Sequence, residues 1–116
     1  MARETAEQAI IARERAALER SYQGDPFGFV DLLANDVTYF DDIAAGTQLD
    51  GGASVWAYLA GFKGKLSPSR FEMLNPKVQL HGDIGVLTLN LNTYSPDGNV
   101  TSRWKATEVY RRIAGD

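Results

Sequence analysis

The spacing of apolar residues changes once along the chain, from a helical period in the first part to strand-like segments in the last part. In residues 5–22, alanine, isoleucine and leucine recur near helical spacing among glutamate and arginine, which predicts an amphipathic helix that Gly24 ends. Asp25 and Pro26 are typical of an N-cap and of a first helical position. A second helix is therefore predicted over residues 26–34.

Shorter elements are predicted in the middle of the chain. Residues 37–40 are β-branched or aromatic between polar neighbours, which predicts a short strand. Residues 50–52 are typical of a turn and a cap, and residues 53–62 predict a third, strongly apolar helix that Gly64 and Pro68 end. Within this helix Trp56 and Phe62 are interpreted as core residues, with contact to a ligand as the alternative.

Three long strands are predicted at residues 71–80, 84–94 and 100–113. The segments between them, residues 81–83 and 95–99, contain the glycine and Pro-Asp-Gly chemistry of tight turns, which predicts an antiparallel meander. Helices followed by strands indicate an α+β fold, not an alternating parallel one.

The composition is that of an ordinary globular domain. The 116 residues, 44% of them apolar and 23% charged, predict a single domain over residues 1–116. No stretch is apolar enough to cross a membrane and the amino terminus does not resemble a signal peptide, so we expect a cytoplasmic protein without membrane association.

The residue types exclude several kinds of chemistry. Cysteine is absent and His81 is the one histidine, so disulfides, thiolate nucleophiles and cysteine-based zinc sites are excluded. No metal site and no cofactor is predicted. Residues 21–60 contain six aspartates and no lysine or arginine, whereas residues 61–116 are net basic. The basic residues are not clustered, which argues against a nucleic-acid partner.

Two stretches resemble known proteins. Residues 24–26 and 32–42, with Asp50-Gly51 before a helix, resemble the front half of nuclear transport factor 2-like proteins, a superfamily that includes ketosteroid isomerases and SnoaL-type cyclases. Residues 74–83 and 104–112 are similar to the association domain of calcium/calmodulin-dependent kinase II. The resemblance implies a cystatin-like cone, in which N-terminal helices pack on a curved antiparallel sheet around one small-molecule pocket.

The resemblance also implies one more strand than residues 1–116 predict. Family members usually continue beyond the turn at residues 114–116 into a final strand inside the sheet. We expect either a longer natural chain or a strand supplied by another chain, and the first alternative is preferred.

Asp41 is the first candidate for acid–base chemistry. Strand alternation places Tyr39 and Asp41 on the same face. The resemblance to ketosteroid isomerase implies that Asp41 is the general base. The alternative is that Asp41 and Asp42 end the strand and cap a loop.

Glu108 is the second candidate. It shares one face of the last strand with Trp104 and Tyr110, and the resemblance implies that its protonated carboxyl donates a hydrogen bond to a developing oxyanion. The alternative is an ion pair with a neighbouring Arg or Lys. The tyrosine that completes this site in the isomerases matches Ala17, which has no donor, and Tyr22, Tyr39 and Tyr110 are the candidates to replace it.

Two other side chains are less suited to this site. His81 is interpreted as a solvated turn residue. Arg103 is a candidate anion-binding residue, but it lies on the strand face opposite Glu108, so the two do not share a pocket without a bulge.

The sequence thus predicts a protein that binds a small hydrophobic ligand, with isomerase or cyclase chemistry on a carbonyl compound as its enzymatic form. Its pocket residues are Tyr39, Asp41, Trp56, Trp104, Glu108 and Tyr110. The alternative is a non-catalytic assembly module. A homodimer through the sheet is expected in either form, with an apolar outer sheet face made of Leu87, Leu89, Leu91 and Thr93.

Overall fold

The structure is a computed structural model that describes residues 5–40, 48–63 and 69–113. In chain order its elements are α1 (Ala6–Tyr22), a 3-10 helix (Val30–Leu32), β1 (Thr38–Tyr39), β2 (Leu49–Asp50), α2 (Gly52–Ala60), β3 (Arg70–His81), β4 (Ile84–Tyr94) and β5 (Val100–Arg111). Helices thus precede a long antiparallel meander, and the predicted α+β class is confirmed. Among the helices that the structure describes, none is long and apolar enough to cross a membrane.

The described residues form two compact units. The first consists of residues 5–16 and 69–113, and the second of residues 17–40 and 48–63. Helix α1 contributes to both units, because the boundary follows Ala16.

Helix α1 begins with a reciprocal pair of hydrogen bonds. The Gln8 backbone N–H donates to Thr5 Oγ1 at 3.1 Å, and the Thr5 N–H donates to Gln8 Oε1 at 2.9 Å. This capping box satisfies donors that the first turn of a helix cannot use internally. It fixes the start of the predicted first helix, whose extent is confirmed.

The predicted second helix is wrong: residues 26–34 form consecutive turns and the short 3-10 helix. Asp25 Oδ1 accepts the Phe27 N–H at 2.9 Å, and the following backbone bonds join residues three apart, as from the Val30 N–H to the Phe27 carbonyl. Gly28 packs closely on the end of α1, since a Cβ there would lie 2.6 Å from the Ala17 carbonyl oxygen. This approach and the Asp25 turn favour tight turns over a regular helix.

The remaining elements of the second unit are short. β1 lies inside the predicted strand and pairs antiparallel with β2, which the sequence analysis interpreted as a turn. Gly51, with φ of +86°, then leads into α2. Val55 of α2 is fully buried, and the predicted third helix is confirmed with an end two residues earlier.

The three long strands form one antiparallel sheet in the order β3-β4-β5, as predicted. Glycines at positive φ make both connecting turns, Gly82 at +60° and Gly98 at +88°. A bulge interrupts β3 between Leu74 and Lys77, where Asn75 has a φ of +52°. Asparagine tolerates this left-handed conformation, and the extra residue restores the alternation of β3 with β4.

The two faces of this sheet differ in burial. We call inner face the side of β4 and β5 that carries Gly85, Leu87, Leu89, Leu91 and Thr93 with Ser102, Trp104, Ala106, Glu108 and Tyr110. The alternate residues, together with their register partners on β3, form the outer face. Leu87 is 0% exposed and Leu89 and Leu91 are also buried, so the predicted apolar outer face is in fact the core of the sheet. That part of the sequence analysis is wrong.

The first part of α1 packs on the inner face. Ile10 reaches the backbone of β4 at Gly85, where a Cβ would lie 2.6 Å from Ile10 Cδ1. Arg15 Nη2 lies 3.8 Å from Met73 Sδ on β3. The helix thus spans the sheet in the first unit, and a glycine in the central strand permits the close approach.

Candidate functional site

Alternation along β5 places three of the predicted site residues on one face. Trp104, Glu108 and Tyr110 are all half-buried on the inner face, while Lys105, Thr107 and Val109 on the other face are exposed. Glu108 is opposite Leu87 on β4, and Tyr110 is opposite Gly85. The carboxyl therefore lies beside a fully buried leucine, and the phenol lies beside a residue without a side chain.

Glu14 of α1 joins Tyr110 on this face. The Tyr110 hydroxyl donates to Glu14 Oε2 at 2.7 Å, and the same hydroxyl oxygen lies 3.4 Å from Glu108 Oε2. Glu14 is 1% exposed, which makes its carboxyl the most deeply buried charged side chain in the described part of the chain. We call Glu14, Glu108 and Tyr110 the carboxyl–phenol cluster.

Burial and the second carboxyl keep Glu108 protonated. Desolvation is the largest cause that raises the pKa of Glu108, to about 9, and the hydrogen bond and negative charge of Glu14 raise it further. The hydrogen bond with Tyr110 acts in the opposite direction. At neutral pH the Glu108 carboxyl is therefore neutral and can donate a proton.

Tyr110 holds its proton more strongly than an ordinary tyrosine. Burial raises the pKa of its phenol well above the usual value, and the charges of Glu14 and Glu108 add to this effect. Its hydroxyl donates to Glu14 Oε2 at the shorter distance, and Glu108 Oε2 is a second acceptor within reach of the same hydroxyl. The cluster is thus a pair of carboxyls, one half-buried and one buried, that share one phenol hydroxyl.

The alternative interpretation of Glu108, an ion pair with Arg or Lys, is wrong. Its partners are Glu14 and Tyr110, and no cation is among the causes of its pKa shift. Arg103 is exposed on the outer face, as predicted, so it does not face Glu108. His81, at the end of β3, is exposed, which agrees with its interpretation as a surface residue.

Two predicted ligand-binding residues lie in the second unit. Trp56 stacks on Phe27 with ring centroids 5.4 Å apart and is 52% exposed, so its interpretation as a core residue is wrong. Tyr39 lies 6.4 Å from the ring of Tyr58. Asp41, the predicted general base, and its neighbour Asp42 lie outside the described residues.

The sequence analysis missed Glu14, although the spacing contains a signal for it. Glu14 lies four residues after Ile10 and four before Leu18, within the apolar stripe of α1. An acidic residue in such a stripe must be buried with the stripe. Ala17, the position that matches the tyrosine of the isomerases, is buried without a polar group, and Glu14 lies nearly one turn earlier.

The described residues contain no group of three or more His, Cys, Asp or Glu that could hold a metal ion. Every buried side-chain nitrogen and oxygen among them has a hydrogen-bond partner. The polar atoms of the carboxyl–phenol cluster are therefore satisfied within the described residues.

Comparison with known proteins identifies the fold. No protein-family model and no curated protein matches the chain. Among solved structures, a candidate ketosteroid isomerase from Parabacteroides distasonis is 38% identical, with a TM-score of 0.82 over 96% of this chain and 79% of that one. An NTF2-like protein of unknown function from Pseudomonas putida is 25% identical, with a TM-score of 0.83 over 96% and 79% of the two chains.

A third match shares the fold at lower identity. The calcium/calmodulin-dependent kinase II hub of S. rosetta has a TM-score of 0.74 at 22% identity and covers 97% of this chain and 88% of that one, which shows a shared fold. A protein of cystatin-like fold is also among the matches. From the identity and coverage of the first match, the chain belongs to the nuclear transport factor 2-like superfamily, whose ketosteroid isomerases it resembles.

Proposed function

We propose that this protein binds a small hydrophobic carbonyl compound at the inner face of its sheet and catalyses its enolisation. Glu108 is the residue that contacts the carbonyl oxygen, and Trp104 and Tyr110 supply the adjoining surface. The observation that carries the proposal is the half-buried Glu108 carboxyl, whose pKa is raised by burial, beside the buried Glu14–Tyr110 hydrogen bond. The similarity to a candidate ketosteroid isomerase supports the same class of chemistry.

The proposed step consists of two proton transfers, one from the carbon next to the carbonyl group and one to the carbonyl oxygen. A base removes a proton from the carbon next to the carbonyl, and the oxygen that gains negative charge takes the proton of Glu108. Glu108 becomes a carboxylate and recovers its proton when the enol returns to a ketone, while the base gives its proton back to carbon, so no proton is consumed. Asp41 stays the predicted base.

A carboxyl such as Glu108 is suited to this role because it is neutral when the substrate binds. A neutral donor does not repel the electron-rich carbonyl, and it stabilises charge that appears only in the transition state. Loss of one such donor commonly lowers a rate by about 10²–10³-fold.

The test uses 2-acetylnaphthalene, an apolar ketone that does not ionise between neutral pH and pH 10. Exchange of its methyl protons in D₂O, followed by proton NMR, reports enolisation directly. We expect the wild-type protein to accelerate this exchange and Glu108→Ala to reduce the acceleration by about 10²-fold. Exchange should also slow as the pH rises through about 9, because Glu108 then loses its proton.

The matched control is Glu72→Ala. Glu72 is exposed on β3 outside the cluster, so its replacement should leave the exchange rate unchanged. Equal rates for wild type and Glu108→Ala would exclude Glu108 as the donor. Asp41→Asn tests the predicted base in the same assay, and a rate equal to that of the wild type would exclude it.

A second candidate function is assembly, favoured by the similarity to a kinase hub domain. The four residues first assigned to a subunit contact are buried in the sheet, so a homodimer through the sheet would use the outer face instead. Val109, 68% exposed on β5, is the apolar residue most suited to such a contact. Light scattering at high micromolar concentration tests this, and a monomer there would contradict it.

A further inference from the structure

Glu14 is almost completely buried, and its carboxyl and that of Glu108 both lie within reach of the same Tyr110 hydroxyl, at 2.7 Å and 3.4 Å. We propose, building on the function proposed above, that Glu14 is a positioning residue, held in place by the Tyr110 hydroxyl, that keeps Glu108 in its proton-donating form. Glu14 itself does not contact the ligand, since it is 1% exposed. Its effect reaches the reacting atoms through Glu108.

The geometry of the helix and the strand brings Glu14, Tyr110 and Glu108 together. Tyr110 and Glu108 are two residues apart on β5, so both side chains leave the same face. Glu14 approaches from α1, one turn after Ile10, which lies against Gly85, the register partner of Tyr110. The 2.7 Å bond to Glu14 therefore fixes the phenol between the helix and the strand.

The charges around Glu108 act in the direction that the proposal needs. From α1, Glu14 faces it, while Arg13 and Arg15 are exposed and Arg15 Nη2 lies against Met73. From β5 its titratable neighbour is Tyr110, which remains protonated.

On β4, the partners of Glu108 and Tyr110 are Leu87 and Gly85, and the next positions on β3 are Val78 and Leu80. These four residues carry no charge. On these strand positions no cation lies beside Glu108, and in a low dielectric the like charge of Glu14 favours the protonated form of Glu108.

The two carboxyls have different roles because they differ in exposure. The half-buried Glu108 can reach a ligand, whereas the buried Glu14 sets the orientation of the phenol and the protonation of Glu108. Removing the charge of Glu14 should therefore change the pH at which Glu108 titrates, whereas removing the charge of a purely structural glutamate would not.

The experiment measures the titration of Glu108 by NMR in protein labelled with ¹³C at the glutamate side-chain carboxyls, with Glu108→Gln identifying the signal. In Glu14→Gln, which keeps the size and the hydrogen-bonding atoms, we expect the Glu108 midpoint to fall by about one pH unit or more. Glu14→Asp keeps the charge but shortens the reach to Tyr110, so its midpoint should lie between those of the wild type and Glu14→Gln.

Glu19→Gln is the matched control, because Glu19 is exposed on the same helix and should leave the midpoint unchanged. The direct action of Glu14 is tested by repeating Glu14→Gln in a Tyr110→Phe background. The shift should persist there at half its size or more, because Glu14 raises the pKa of Glu108 by its own hydrogen bond and charge, while the hydrogen bond with Tyr110 lowers it. A shift that disappears in this background would overturn the direct action of Glu14.

The outcomes separate this inference from the proposed function. If Glu108 titrates high in both the wild type and Glu14→Gln, the role of Glu14 is overturned while Glu108 remains a donor. If Glu14→Gln lowers the midpoint but no variant alters ketone exchange, the role of Glu14 stands and the proposed reaction fails. An ordinary glutamate midpoint in the wild type would overturn both.

Discussion

Two tyrosine–glutamate hydrogen bonds lie on opposite faces of the same sheet. On the inner face the Tyr110 hydroxyl donates to Glu14 at 2.7 Å, in surroundings that exclude water from the carboxyl. On the outer face the Tyr94 hydroxyl donates to the exposed Glu72 at 2.9 Å, and Arg70 lies 3.9 Å above the Tyr94 ring. The chemical groups are the same, and the lengths differ little.

The difference between them lies in the surroundings. The outer bond has a cation beside it and water around it, so its carboxylate needs no further compensation. The inner bond has a second carboxyl, Glu108, in place of the cation, and burial in place of water. Proton-donating chemistry is therefore expected on the inner face alone, although both faces carry a tyrosine and a glutamate.

The largest effect should come from the packing beneath the inner bond. Leu87 is 0% exposed at the centre of β4, so Leu87→Ala should lower the free energy of unfolding by about 2–5 kcal/mol. Val109→Ala, on the exposed outer face, should change it by less than about 0.5 kcal/mol. Urea unfolding followed by circular dichroism measures both, and similar losses would contradict the assignment of the two faces.

Much of the first unit could be predicted from the sequence, because its signals are local. The turn residues around Gly82 and Gly98 and the alternation of β5 are short-range patterns, and the strands form where those patterns place them. Which face of β4 is buried could not be predicted in this way. Both sets of alternate residues in β4 contain apolar side chains, and the packing of α1 against Gly85 decides between them.

The candidate site shows the same limit. Strand alternation predicts that Glu108 and Tyr110 share a face, since they are two residues apart, and the resemblance to ketosteroid isomerases makes Glu108 the candidate. Glu14 was missed because it lies 96 positions from Tyr110 in the chain, and only the packing of α1 on β5 brings the two together. The prediction of a second helix is wrong for a related reason. The close approach of Gly28 to α1 outweighs the helix-start signal of Asp25 and Pro26.

The protonation of Glu108 should appear as a pH dependence of stability. Its pKa is raised from 4.5 to about 9 in the folded protein, so between these values the folded state holds a proton that the unfolded state has released. The contribution of Glu108 to the free energy of unfolding should therefore be highest below about pH 4.5, fall as the pH rises towards about 9, and level off above it.

Glu108→Gln carries no titrating proton, so this decline should become shallower in urea unfolding measured at several pH values. Glu72→Gln serves as the control on the outer face and should retain the wild-type decline. A wild-type stability that rises over this range would contradict a proton-bearing Glu108.

The smallest difference, and the most direct test of the two hydrogen bonds, comes from deleting one hydroxyl on each face. Tyr110→Phe leaves the buried Glu14 without its donor, and hydrogen bonds to charged groups contribute about 1.5–3 kcal/mol. Tyr94→Phe leaves an exposed Glu72 that water can solvate, so we expect a loss below about 0.5 kcal/mol. Both substitutions keep the ring, so urea unfolding at one pH compares the hydroxyls alone. Equal losses would mean that burial does not distinguish the two bonds. Different chemistry would then no longer be expected on the inner face.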